Sequence, residues 1–230
     1  MTRDPNIIII SFLGGLLPAL LWLWFWLKQD KEHPEPKGLL FISFVLGMLA
    51  VICALPLEKF ANTFITDKNT LIVVWAAIEE FLKFAAVALI AIRSIYLDEP
   101  TDYPIYFITA ALGFAAFENS IFLLHPITID DTVASLITGS LRFMGATLLH
   151  SVSSGIIGIS LGLSFYKKLR VKIIYCLFGI AGAIALHSIF NFFIIQDEGG
   201  NFLPTFGFLW VVTIIIMLLF EKLRRMSGEE

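Results

Sequence analysis

Long apolar runs separated by short polar stretches cover most of this chain, and their lengths set the fold class. The first run, Ile7–Leu27, is long enough to cross a hydrocarbon core of about 30 Å, and too long for the 7–15 residue core of a signal peptide. No small-residue cleavage site follows it. Trp22, Trp24 and Trp26 lead instead into a polar, proline-broken stretch from Lys28 to Lys37, the pattern of an aromatic belt at a membrane face. Further runs occupy Leu39–Leu57, Leu71–Ile92, Pro104–Leu124, about Leu141–Phe165, about Ile173–Ile195 and Phe202–Phe220. The pattern predicts an all-α, polytopic helical membrane protein of about seven transmembrane helices, a single integral membrane domain over residues 1–230. Thr132–Ser140 fits an interfacial helix, a re-entrant turn or an extension of the fifth span.

Composition agrees: 58% of the 230 residues are hydrophobic, 22 are Phe, and the mean hydropathy is +0.86. The net charge of −3 decides little, because the positions of charges orient such a chain. Counting Lys and Arg in alternate loops gives eleven on one side, from Lys28 to Arg225, and three on the other, Arg3, Lys59 and Lys68. The excess predicts a multi-pass protein of the cell membrane with its N-terminus outside and its C-terminus cytoplasmic. The lipid bilayer is its expected surrounding, and no nucleic-acid partner is expected. Cys53 and Cys176 lack ligand-like spacing and read as small buried residues. Gly158 and Gly162 fit a small-residue helix contact.

Against this background a few polar positions stand out. Glu79, Glu80 and Lys83 interrupt the third run, where each charge costs roughly 2.5–3.5 kcal/mol near mid-bilayer. Glu118 sits in the fourth run, His150 in the fifth, and His187 with Asn191 in the sixth. At 1.5 Å per residue these marks lie roughly 9–13 Å from the same membrane face. Antiparallel spans are counted from opposite ends, so their common depth is not built in by the counting. The polar site is therefore expected between spans three to six, in a catalytic core of about residues 71–195.

Carboxylates, imidazoles and a carboxamide at one depth are the parts of a hydrolytic site. Glu79 is one helical turn from Lys83 and is expected to pair with it, leaving Glu80 to act as general base on a water. Glu118, His150 and His187 would make a two-histidine, one-glutamate set for a divalent metal such as zinc. Without a metal, a His–Glu pair would activate the water while His187 and Asn191 donate to the oxyanion. Spacing is compatible with both. Ser154, on the same helix face as His150, reads as support and not as a nucleophile, and Asn119 beside Glu118 as a helix-to-helix contact. Arg142 fits a side chain reaching the interface, and His33 and His125 fit solvated positions.

Taken in order, Glu79-Glu80-x-x-Lys83, Phe114-x-x-x-Glu118, His150-x-x-x-Ser154 and His187-x-x-x-Asn191 resemble the motifs of the PrsW family of bacterial intramembrane proteases, distant relatives of the CAAX prenyl endopeptidases. The resemblance covers about half the chain. It implies a helical membrane protease cutting single-pass membrane proteins, in the founding case an anti-sigma factor, with its site built from these residues. CAAX-type enzymes carry E-E-x-x-x-R and F-x-x-x-H, and the chain departs from both at Lys83 and Glu118, so prenylated C-termini are not the expected substrate. The same buried Glu, His and Lys set would also suit a proton- or ion-coupled transporter. No internal repeat or paired broken helices accompany it, and the protease reading is preferred.

Overall fold

A computed structural model describes residues 4–30, 33–92, 94–128, 145–196 and 202–227. Among them are seven helices and no strands: α1 (Pro5–Leu27), α2 (Lys37–Ala61), α3 (Lys68–Ile90), α4 (Asp102–Thr128), α5 (Thr147–Leu163), α6 (Leu169–Gln196) and α7 (Phe202–Ser227). They fall on the seven predicted runs. Segment 132–140, Arg142 and the His125 side chain lie outside the described residues.

Local chemistry starts the helices where the sequence allows. Asp4 precedes Pro5 and accepts from the Asn6 amide at 2.9 Å. Asp67 accepts from the Thr70 amide at 2.8 Å and fixes the start of α3. Five helices are long and apolar enough to cross a membrane: α1, α2, α4, α6 and α7. Helix α3 is 23 residues long but carries three mid-helix charges, and α5 is apolar over 17 residues.

Helix α4 is the axis of the bundle. Tyr106, Phe107, Ile108, Ala110, Ala111 and Leu112 are fully buried, with α1, α2 and α5 packed most extensively around it. Helix α5 is nearly as enclosed, between α4 and α6. The outer helices turn large apolar side chains outward, such as Ile9, Phe41, Leu89, Phe178 and Leu218, as a lipid-facing surface requires. Two expectations fail on this surface. Cys53 is exposed on α2, and Trp26 is wholly buried while Trp24 faces out beneath the Lys28 ammonium. Alternate residues of a helix point in different directions, so three such tryptophans cannot share one belt.

Close backbone approach holds α4 to its neighbours. A Cβ at Gly47 of α2 would run into the backbone of Ala110, and one at Gly113 of α4 into that of Phe44. Gly158 and Gly162 pack in the same way against Pro104 and Pro100, as their spacing predicts. Three buried hydroxyls are satisfied within their own helices: Thr109, Ser188 and Thr213 each donate to the carbonyl four residues back at 2.6–2.8 Å.

At the end of the bundle away from the α2–α3 connection, the α1–α2 and α3–α4 connections meet in a group of acids. Tyr106 donates to Glu35, Asp102 accepts from the Asp98 and Glu99 amides at 2.8 and 2.6 Å, and His33 pairs with Glu99 at 2.9 Å. Asp30 is buried beside them, its Oδ2 without a hydrogen-bond partner among the described residues. Burial, then the Asp102 and Glu99 carboxyls, push its pKa from the ordinary 3.8 up to about 7, against a smaller opposing effect of His33. Burial raises Glu35 as well.

Two outcomes are expected. Gly113→Val forces α2 and α4 apart and costs about 1–3 kcal/mol, read as a lower thermal midpoint in detergent. Because the folded state holds the Asp30 proton more tightly than the unfolded chain, that contribution is complete below pH 4 and is lost as pH rises to about 7. Asp30→Asn should flatten the fall of the midpoint across this window and raise the midpoint at pH 8.

Candidate active site

The charges of α3 lie on its inward stripe. Ile72, Ala76, Glu79, Glu80, Lys83, Ala86 and Val87 are its buried residues, spaced by three and four, so the periodicity that buries the apolar face carries three charged groups in with it. Each then needs a partner from α4, α5 or α6.

Glu80 is fully buried and fully satisfied. Its Oε1 accepts from Lys83 Nζ at 2.6 Å, His187 Nδ1 at 2.8 Å and Ser153 Oγ at 3.1 Å, and its Oε2 accepts from Ser154 Oγ at 2.7 Å. Glu79 is different. It stands 3.8 Å from Lys83, and its Oε2 is buried without a hydrogen-bond partner among the described residues, 3.7 Å from both His150 Nδ1 and His187 Nε2. The expected pairing is therefore reversed: Lys83 bonds tightly to Glu80, and Glu79 is the carboxylate left to the cavity. The α5 serines and His187 approach α3 from the Glu80 side, which draws the ammonium there.

Partner chemistry assigns the imidazole protons. Lys83 has only donors and lies 2.9 Å from His150 Nδ1, so that nitrogen accepts, and Nε2 carries the proton toward Glu118 at 3.1 Å. His187 donates from Nδ1 to the Glu80 carboxylate, which turns the Nε2 lone pair toward Glu79. The two histidine rings meet edge to face with centroids 5.0 Å apart, and His150 lies tilted against Phe114 at 5.3 Å. Lys83 Nζ also sits 4.7 Å from the Phe114 ring centroid.

These groups line a cavity of about 540 Å³ in the half of the bundle that contains the α2–α3 connection. Glu79, Glu118, His150, His187 and Asn191 all reach it, whereas Glu80 and Lys83 lie behind its wall. The rest is mostly apolar, including Val51, Leu55, Phe114, Phe122, Leu149, Phe190 and Phe206. Asn119 separates from Glu118 and donates to Thr147 at 2.8 Å, tying α4 to α5. Ser154 takes its expected supporting place on Glu80. Two residues of the wall escaped the sequence reading, Glu58 and Trp75. Glu58 was cut off by ending the second span at Leu57. Its spacing from Val51, Ala54 and Leu55 along one helical face is the signal that recovers it.

The donor set fits a divalent metal. One oxygen of Glu79 and one nitrogen each of His150 and His187 lie within 4.8 Å of one another. Two ligands of a tetrahedral zinc at about 2.1 Å stand roughly 3.4 Å apart, close to the 3.7 Å from Glu79 to either ring. An unpartnered carboxylate oxygen, and a histidine whose far nitrogen is held by a carboxylate, are what such a site requires. Glu79 stands in this set where spacing suggested Glu118, and an ion would compete with Lys83 for the His150 Nδ1 lone pair.

A sequence profile described as "PrsW family intramembrane metalloprotease" matches residues 35–220, which take in every residue of this site. The chain belongs to the PrsW family. It is similar to the protein named Protease PrsW of Shouchella clausii, 24% identical over 211 residues, covering 88% of this chain and 93% of that one. It is also similar to Protease PrsW of Bacillus subtilis, 21% identical over 202 residues, covering 86% and 89%. Protease PrsW of Oceanobacillus iheyensis is 24% identical over 216 residues, covering 90% and 94%. No solved structure matches. As a PrsW-family protein the chain is a multi-pass, membrane-embedded protease acting on protein substrate.

The Lys83–Glu80 pair is expected to behave as one unit. Lys83→Met should cost about 3–5 kcal/mol by stranding the Glu80 charge, and Lys83→Met combined with Glu80→Gln should cost less than Lys83→Met alone. Unfolding of the purified variants in detergent reads the comparison.

Proposed function

We propose that this PrsW-family protein hydrolyses a peptide bond of a single-pass membrane protein near the outer membrane boundary, an anti-sigma factor in regulated proteolysis being the family precedent. The Lys and Arg count supports an orientation with the N-terminus outside and the C-terminus cytoplasmic, which turns the cavity toward the outer face. One integral membrane domain, with its catalytic core in α3 to α6, carries the reaction. A cavity lying between helices suits a substrate that enters sideways from the bilayer and unwinds there, because a helical peptide carbonyl is already bonded within its own helix.

The observation that carries the reading is Glu79 Oε2, buried and unpartnered between two imidazoles at the cavity wall. Glu79, His150 and His187 would hold a divalent cation. When bound, such an ion supplies Lewis acidity, polarising a carbonyl and acidifying water. Glu118, at the cavity and bonded to His150, takes the proton of the attacking water. Water oxygen bonds to the carbonyl carbon, the C–N bond breaks, and the proton passes from Glu118 to the leaving amine. Asn191 offers a carboxamide donor to the developing oxyanion one turn from His187. Glu80 touches no substrate; it holds the His187 tautomer and anchors Lys83. A metal-free course has one specific support, since the same orphaned oxygen would serve Glu79 as general base.

Membrane-protein N-termini from cells making wild type and Glu79→Gln at equal level test the reaction. New ends near a span boundary should appear with wild type only, and their absence from both would remove proteolysis of a single-pass protein. Metal analysis of the purified protein separates the two courses. Wild type and Glu118→Gln should retain metal while Glu118→Gln loses about 10²–10⁴-fold in rate, and Glu79→Gln should lose metal and activity together. Wild type active without metal would leave Glu79 as the base.

A further inference from the structure

Carboxylates outnumber cations at the cavity among the described residues, and the disproportion points to substrate selection. Among the described residues, Glu58, Glu79, Glu80 and Glu118 face one cavity or its back wall, and Lys83 is the one ammonium set against them. Lys83 is committed to Glu80 at 2.6 Å and to His150 at 2.9 Å.

Glu58 is where that excess is available. Glu80 has four donors, Glu118 has His150, and Glu79 has Lys83 at 3.8 Å and the imidazoles beside it. Glu58 has no hydrogen bond and no ion pair among the described residues, yet it is half-buried in the last turn of α2 and lines the same cavity. Helix α2 ends at Ala61, so Glu58 is one turn from that end, while Glu79 lies in the middle of α3. The two carboxylates therefore mark different depths, Glu58 at the mouth and Glu79 at the reacting centre. Trp75 stands beside this mouth with its indole N–H fixed to Asn62 Oδ1 at 3.0 Å, which gives the rim a set shape.

We infer that Glu58 is a specificity residue that takes a Lys or Arg side chain of the substrate, within about three residues of the cleaved bond on its mouth side. An extended chain rises about 3.3 Å per residue, so three residues reach about 10 Å from the reacting centre toward the mouth. The apolar wall accepts the aliphatic stem of such a side chain while its charged head meets the carboxylate. An acidic residue at that position would face Glu58 and Glu118 together and be rejected, so selection works by repulsion as well as attraction. This deepens the proteolytic reading and rests on it.

The test uses the whole chain purified from membranes in detergent, without added chelator. Its substrates are a library of single-pass peptides randomised over six residues across the span boundary, and the cut ends are sequenced. Wild type should enrich Lys and Arg over Asp and Glu at least tenfold at one position within three residues on the mouth side of the cut. Glu58→Gln should bring that ratio near one, and Glu58→Lys should invert it toward acidic residues. Cutting by Glu58→Gln with the wild-type ratio retained would overturn the assignment and leave proteolysis standing. Failure of wild type to cut any library member would overturn both. Because the readout is a ratio within each enzyme, partial loss of folded protein does not mimic the effect, and Glu58→Gln decides the matter if Glu58→Lys does not fold.

Discussion

A buried ammonium bonded to a buried carboxylate, Lys83 on Glu80, is the constraint on which the rest of this protein depends. Neither group can stay in an apolar bundle unless its remaining bonding capacity is filled, because desolvation exceeds what the ion pair alone returns. That requirement accounts for the polar residues around it. Ser153 and Ser154 bring two hydroxyls from α5, His187 a ring N–H from α6, and His150 accepts the remaining reach of the ammonium. Two helices, α5 and α6, are thereby tied to one point on α3. The tie also sets the two imidazoles 5.0 Å apart, with the lone pair of His187 facing Glu79.

Such a network needs a frame that does not yield. Helix α4 provides it, buried without a break from Asp102 to Ala116 and with its backbone in close approach to α2 at Gly47 and Gly113. Lipid offers little hydrophobic drive for helices to associate, so small residues that let backbones touch carry much of the packing. Phe114 and Glu118, one turn apart on α4, then meet Lys83 and His150 from the side opposite α6. The acidic group at the far end of the bundle joins the α1–α2 and α3–α4 connections, so α2 and α3 are held at both ends, by chain at one and by the Glu35–Tyr106 and Asp102 contacts at the other.

Much of this was legible in the sequence, for a physical reason in each case. Span lengths are set by the bilayer, so the seven helices follow from hydropathy. Charge inside a span is too costly to be idle, so Glu79, Glu80, Lys83, Glu118, His150 and His187 could be collected by depth alone. What depth cannot supply is rotation about a helix axis. Glu79 and Glu80 are adjacent, both lie one turn from Lys83, and only the direction from which α5 and α6 approach decides which takes the ammonium. Rotation also separates Trp24 from Trp26, and Asn119, which ties α4 to α5, from Glu118, which lines the cavity. Glu58 was lost for another reason: a charge followed by further polar residues, Glu58-Lys59, reads as the end of an apolar run, while the helix continues to Ala61.

The contrast between the adjacent glutamates explains how one short motif can serve both stability and chemistry. A carboxylate with four donors is a poor proton acceptor and a poor ligand, because its lone pairs are already engaged. One with an unpartnered oxygen is costly in the folded state and is kept only where something else is to bind. Placing the two side by side lets the first anchor the ammonium that would otherwise neutralise the second. The cost of leaving Glu79 unsatisfied is borne by the bonds made at Glu80, and the cavity keeps an open site for that reason.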